Sequence, residues 1–575
     1  MKMNPVAISL RNHLLAILLA GLLTTPLTLI SPSEPDSAFW LGLSKMRLAV
    51  VAFQIAGLLL AAVLLYSGWR SGFSSSFFKR LGSFFSNPGR YGVLRYSLLG
   101  LALFISIAFI NFSILIPQAL AAASAWLAFS LWTCYHLFAR LVSTPADFAP
   151  LRFFSFLPSW QGLTRTQKQT TWVLLGLGLL YFGLFIPLNL RNSGSMQELN
   201  LDESIMYPIV IKMLTAGEGL GDSLYRFLVY GDYIYGFPFY GWSAFVLLPV
   251  KWFGGEGFAE RLQLNMLLVR QLANVLPAVL SCFLFTWLAT RFKNLWASLG
   301  LNLILLTLPG MIGLNYTFWH PDGVNLFFIA LTLYYLDRDR LRFGANFYFA
   351  ALACGASIAT RLFGGFFFLS IAVLLWMGWQ RKTLTLRRGL LAALFFILVM
   401  TAGTFISNPY MFAPGEIGAA LNTFARRQSV LAQGVAGPDP EGIYRTGLGA
   451  WWPFMAPTFG SSLTLVFLAV STIAGLFGKE RRHFAWALFA WLLVIGTYMI
   501  ATVKVKSPWY LLPFLIPLFC SAFNLPDLLR EKLALSPKGG QQRIWRIAVW
   551  ILVAGLGAAQ LVQNIHIFAN SLIFQ

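Results

Sequence analysis

Trp172-Val-Leu-Leu-Gly-Leu-Gly-Leu-Leu-Tyr-Phe-Gly-Leu-Phe-Ile-Pro-Leu-Asn-Leu190 decides the class of this chain, and Gln197-Glu-Leu-Asn-Leu-Asp-Glu-Ser-Ile-Met-Tyr-Pro208 follows it closely. The first run is uncharged and long enough to cross about 30 Å of hydrocarbon as a helix. Similar runs recur along all 575 residues, 58% of which are hydrophobic and 11% charged. A soluble protein carries about twice that charge. A β-barrel would show short alternating segments instead. The composition predicts an all-α polytopic membrane protein.

About fifteen spans are expected. Four come early, near 14–30, 48–66, 96–116 and 118–139. Leu14–Ile30 reads as a retained helix, because no small-residue cleavage site follows it. A basic connector, Arg140 to Thr171, leads to the span at 172–189. Later spans fall near 267–290, 296–316, 323–336, 346–360, 364–379, 389–408, 459–477, 485–503, 509–523 and 546–566. Two long polar loops interrupt them, at 190–265 and 409–456. The chain divides into an N-terminal module with its connector (1–171), a core (172–525), and a connector with a final helix (526–575).

Loop charge predicts sidedness. With a cytoplasmic N-terminus, roughly two-thirds of the 42 Lys and Arg fall inside and roughly two-thirds of the 20 Asp and Glu outside. Both long loops then face outward, in the plasma (inner) membrane. The aromatic stretch 236–253 is expected to lie along the outer interface, because counting it as a span would reverse every later loop. The net charge of +22 is read as topology and lipid contact, not as nucleic-acid binding. Cys134, Cys282, Cys354 and Cys520 lie far apart in apolar runs, with no CxxC or Cys/His cluster, so packing is their expected role.

Asp202 and Glu203 are the first candidate site. A carboxylate pair at the mouth of a span suits proton abstraction or metal binding. Read blandly, they are acids at a helix N-terminus. Trp319-His320-Pro321-Asp322-Gly323 is the second, with helix capping as its bland reading. The third is a set of outward cations at span ends: Arg361, Arg426, Arg427, Arg445, Lys504 and Lys506, the last two preceding Tyr510. Ser407-Asn-Pro-Tyr-Met411 is the fourth. Asp337-Arg-Asp339-Arg spells a nucleotide-sugar motif but sits at a cytoplasmic span end, and reads as a charged helix terminus.

The order of a span, an acidic pair, an aromatic interfacial helix and Glu260-Arg261 resembles the GT-C superfamily of membrane glycosyltransferases. The nearest branch looks like the protein O-mannosyltransferases and the lipid A aminoarabinose transferase. The likeness covers about 172–525. Where those families open the interfacial segment with His-Pro-Pro-Leu, this chain has Gly236-Phe-Pro-Phe.

The resemblance implies a GT-C-like core and an enzyme that moves a sugar from a polyprenyl-phosphate donor. The acceptor would be a hydroxyl of a lipid, glycan or protein outside the cell, and the transfer would invert the anomeric carbon. It implies Asp202, then Glu203, as base. Asp322, His320, Arg361, Arg426, Arg427, Lys504, Lys506 and Tyr510 would bind substrate. No cofactor is required. Paired acids also suit Mg²⁺ or Mn²⁺, with Asp202, Glu203 and Asp322 as ligands. The rivals are a transporter or flippase for a lipid-linked or anionic substrate, and an O-antigen polymerase or ligase.

Overall fold

The computed structural model describes residues 45–78, 162–413, 415–434, 444–534 and 539–573, with isolated positions ahead of residue 45. Among the described residues the elements are helices, and no β-strand occurs. The expected spans near 14–30, 96–116 and 118–139, most of the 140–171 connector, and Cys134 lie outside these residues. The other three cysteines are buried free thiols.

Two compact units are present. The first combines the N-terminal region with residues 211–230. Its described part includes the helix Lys45–Arg70 and a small apolar cluster of Leu10, Leu14, Phe73 and Phe78. The second unit holds residues 157–210 and everything from Gly231 onward, and contains every candidate site residue.

Among the described residues, seven helices are long and apolar enough to cross a membrane, or up to nine if each of two bent pairs is one span. The expectation of about fifteen is therefore not met among the described residues. Beyond the three expected spans that fall outside them, three more shorten the count. Near 48–66 the helix Lys45–Arg70, of 26 residues, covers the expected span, and its stretch Ile55–Arg70 stands among the shorter apolar helices. Residues 323–336 and 346–360 are helical, within Asp322–Asp339 and Ala345–Arg361, but the second has only 17 residues and the first carries charge at both ends. The first also carries Asp322, Asn325, Asp337 and Asp339, all buried. Protein around these helices satisfies groups that lipid would not.

The stretch 236–253 forms the helix Phe237–Gly254 and is not among the candidate spans. Phe239, Tyr240, Ser243 and Leu247 face the core, while Trp242 stacks on Phe245 and both stand exposed. The long loop 409–456 contains two helices, Glu416–Gln433 and Leu448–Phe459. The second meets Ser462–Gly475 at a bend of 100°. At the centre, Ala345–Arg361 packs between Asp322–Asp339 and Leu386–Ser407. Gly355 and Gly403 let the latter backbones approach closely.

Candidate active site

Asn200 begins the site. Its side-chain Oδ1 accepts the backbone N–H of Glu203 at 3.0 Å and so caps the helix Leu201–Leu214. Asp202 and Glu203 occupy the first turn, where the helix dipole favours carboxylates. Consecutive helical residues point about 100° apart, and the doublet diverges accordingly. Asp202 remains 39% exposed, while Glu203 is fully buried.

Glu203 meets Arg270 in a two-pronged ion pair, with Nε–Oε1 at 2.8 Å and Nη2–Oε2 at 2.6 Å. Arg270 also donates to the carbonyls of Asn189 (2.9 Å), Arg191 (2.8 Å) and Asn192 (3.2 Å). All five guanidinium donors thus have acceptors. Glu203 also accepts the backbone N–H of Trp319. Burial pushes the Glu203 carboxyl up, and Arg270 works against that push. With both oxygens engaged and no exposure, Glu203 is placed as an anchor for the Thr317–His320 loop.

A π-helical stretch, Val269–Val275, presents Arg270 on one side and Asn274 on another. Asn274 donates to the carbonyls of Leu314 (2.5 Å) and Phe318 (3.0 Å). Asn189 Oδ1 accepts the N–H of Thr317 at 2.8 Å. Gly323 belongs to the same clamp, because a Cβ there would lie 2.7 Å from Asn274 Oδ1 and 2.8 Å from its carbonyl oxygen.

His320 sits at the end of this loop, fully buried. Its ring lies flat against Phe318, with centroids 4.8 Å apart, and near Trp509 at 5.7 Å. Nδ1 stands 2.9 Å from Asp322 Oδ2. Nε2 stands 3.0 Å from the Tyr235 hydroxyl and 3.8 Å from Asp202 Oδ2. Burial drives the imidazole below its usual range, and Asp322 opposes that drop. Burial would raise Asp322 in turn, but Arg361 and His320 outweigh it and hold the carboxyl low.

Asp322 forms an ion pair with Arg361, whose guanidinium lies against the rings of Tyr510 (4.8 Å) and Tyr235 (5.6 Å). A row, Asp202–His320–Asp322–Arg361, results, with a 3.8 Å gap between Asp202 and the imidazole. It ends at a cavity of about 70 Å³ lined by Arg361, Arg427, Tyr235, Tyr510, Tyr498 and Phe424. Arg427 donates to the Tyr510 hydroxyl at 2.7 Å.

The loop that carries Tyr235 is fastened from three directions. The N–H of Gly236 donates to the Thr360 carbonyl at 3.1 Å, and any Cβ at 236 would collide with the Ala359 carbonyl. Asn408 accepts the N–H of Phe237 at 3.0 Å and donates to the Ala359 carbonyl at 3.4 Å. Tyr410 packs on Tyr233, whose hydroxyl donates to Glu416. The Ser407-Asn-Pro-Tyr turn therefore holds Tyr235 over Arg361.

The structure brings Asp202, His320, Asp322, Arg361, Arg427 and Tyr510 together. Lys504 is half-buried beside Val503, a cavity-lining residue. Arg426 is exposed and does not line the cavity. Lys506 Nζ donates to the carbonyls of Arg445 (2.7 Å) and Lys504 (3.2 Å). Asp202, Glu203 and Asp322 do not converge as ligands, since Arg270 holds Glu203 and Arg361 holds Asp322. Among the described residues no three of His, Cys, Asp and Glu form a metal-holding group.

Sequence reasoning missed Arg270 and Tyr235. Arg270 had a readable signal, being a lone cation inside an apolar run. Tyr235 had none. Comparison with protein-family models finds no match to the chain, and comparison with curated proteins finds none either.

Proposed function

We propose that this protein is an integral-membrane glycosyltransferase. It moves a sugar from a polyprenyl-phosphate donor to an acceptor hydroxyl on the extracytoplasmic face, with inversion. The reaction needs a base beside the acceptor and a cation beside the departing phosphate, about one sugar apart. One observation carries the reading: a half-exposed carboxylate, Asp202, 3.8 Å from His320, and a cavity-lining guanidinium, Arg361, paired with Asp322, flank the same buried His320–Asp322 pair.

Asp202 removes the acceptor proton as its oxygen attacks the anomeric carbon. Arg361 and Arg427 stabilise the charge that grows on the phosphate. Asp322 fixes the His320 tautomer with Nε2 toward Asp202, and holds Arg361 in place. The acceptor is a lipid, glycan or protein hydroxyl. The donor phosphate and its prenyl chain enter from the outer leaflet.

The test is transfer by the purified protein in vesicles that contain a polyprenyl-phosphate sugar. The wild type is expected to form product with inverted configuration. Asp202→Asn is expected to lose about 10²–10⁴-fold in rate. Full activity of a properly inserted Asp202→Asn protein removes the base assignment. Flux of the lipid-linked sugar without bond formation replaces the reading with transport.

A further inference from the structure

The Tyr235 hydroxyl occupies a place that the base and the cations leave unexplained. It is 3.0 Å from His320 Nε2, the atom that also faces Asp202, and its side chain forms part of the cavity wall with Arg361 and Arg427. His320 Nε2 is thus the meeting point between the carboxylate and the cavity. Asp322 Oδ2, 2.9 Å from Nδ1, favours the tautomer with the proton on that nitrogen and Nε2 as the acceptor. The loop around Tyr235 is fixed by Gly236, Asn408 and Tyr233, so the hydroxyl is held rather than adventitious.

We propose that Asp202, His320 and Tyr235 form a proton relay that carries the acceptor's proton to the departing lipid phosphate. This inference rests on the glycosyl-transfer reading and adds the fate of the proton to it. In the first step the acceptor oxygen bonds to the anomeric carbon, the carbon–oxygen bond to phosphate breaks, and its electron pair stays on the phosphate. The acceptor proton passes to Asp202. Asp202 then closes the 3.8 Å gap and gives a proton to His320 Nε2 as the Tyr235 hydroxyl turns its hydrogen from Nε2 toward the cavity, making an imidazolium flanked by Asp202 and Asp322.

Tyr235 takes that proton on its oxygen as its own hydroxyl proton moves to a phosphate oxygen in the cavity. The end state is a carboxylate, a neutral imidazole, a neutral phenol and a singly protonated lipid phosphate. A phosphate monoester is a competent receiver, with a second pKa of about 6. Burial pushes the Tyr235 phenol upward, so the two proton movements on its oxygen occur together without a phenolate. The relay regenerates the base without contact between His320 and bulk water.

The test compares wild type with Tyr235→Phe in the same vesicle assay, in mixtures of light and heavy water. Tyr235→Phe keeps every ring contact and is expected to lower kcat about 10²-fold, with donor KM within about twofold. The wild-type rate is expected to curve against deuterium fraction, since more than one proton is in flight, and the variant to give a straight line. Replacing Tyr235 with 3-fluorotyrosine keeps the hydroxyl and the fold but makes the proton more acidic, and is expected to change kcat several-fold.

Wild-type kcat in Tyr235→Phe, an equal curvature in both proteins, or indifference to fluorination overturns the relay while leaving the transfer reading in place. Absence of any transfer by wild type, with the donor present on the correct side, overturns both.

Discussion

One helix, Asp322–Asp339, carries buried acids at both ends, and they are solved in different ways. At its start Asp322 lies where the helix dipole welcomes a negative charge. One guanidinium, Arg361, and the imidazole of His320 suffice there. At its finish the dipole opposes a carboxylate, and the protein supplies far more. Asp337 accepts from Arg481 through Nε at 3.1 Å and Nη2 at 2.8 Å, and pairs with Arg291 as well. Asp339 accepts the backbone N–H groups of Phe343 (2.7 Å) and Gly344 (3.0 Å).

The far end therefore has its charges tied among themselves, as expected of a structural clasp. The near end keeps Asp202 half-exposed and two guanidinium groups on a cavity wall. The near end is therefore where the proposed chemistry is placed, because charge there remains available to a ligand.

The largest expected effect tests the near end. Asp202→Asn is expected to lower transfer about 10²–10⁴-fold with an unchanged melting temperature. Loss of folding in this variant, measured by thermal denaturation in detergent, would make Asp202 a structural acid like Asp337. Asp337→Asn is expected to do the reverse. It strands two cations around a neutral group and is expected to cost about 3 kcal/mol of stability, with activity per folded molecule retained. A drop in activity without a drop in melting would erase the distinction between the two ends.

Arg427→Ala is expected to raise donor KM about tenfold, in keeping with one charge-assisted hydrogen bond, whereas Arg426→Ala is expected to leave it within about twofold. Equal effects from both would mean that the cavity is not where the phosphate binds.

The pH dependence follows from His320, which faces Asp202, Asp322, Arg361 and Tyr235. Burial places its folded pKa below the ordinary 6.5, so the neutral form is the one the fold favours. Its contribution to stability is present above 6.5 and is lost as the pH falls below that value. Transfer that needs neutral His320 is expected to hold steady from pH 8 through 6.5 and to decline only in more acidic solution. A pH–rate profile with its acid limb at or above 6.5 contradicts this.

The smallest expected effect is at the exposed pair Lys293–Glu480, whose side chains are 67% and 70% accessible. Glu480→Gln is expected to change stability by less than about 0.5 kcal/mol, a baseline for the clasp nearby.

The membrane-protein class and most helix positions were legible in the sequence, because apolar length and charge density are properties of the chain itself. So was the candidate doublet, since two acids beside an apolar run stand out anywhere. The span count was less legible. Asp322–Asp339 is a helix whose buried acids find partners outside the helix, and pairing of that kind leaves no mark on local hydropathy.

The division of labour within the doublet was decided by tertiary structure alone. Nothing local distinguishes Asp202 from Glu203. Arg270, 67 residues further on, meets Glu203 because a π-turn and a helix start face one another. Tyr235 reaches His320 across 85 residues for the same kind of reason. Hydrophobic length dictates where a chain forms helices. Which polar group stays available for chemistry depends on which distant partners claim the others.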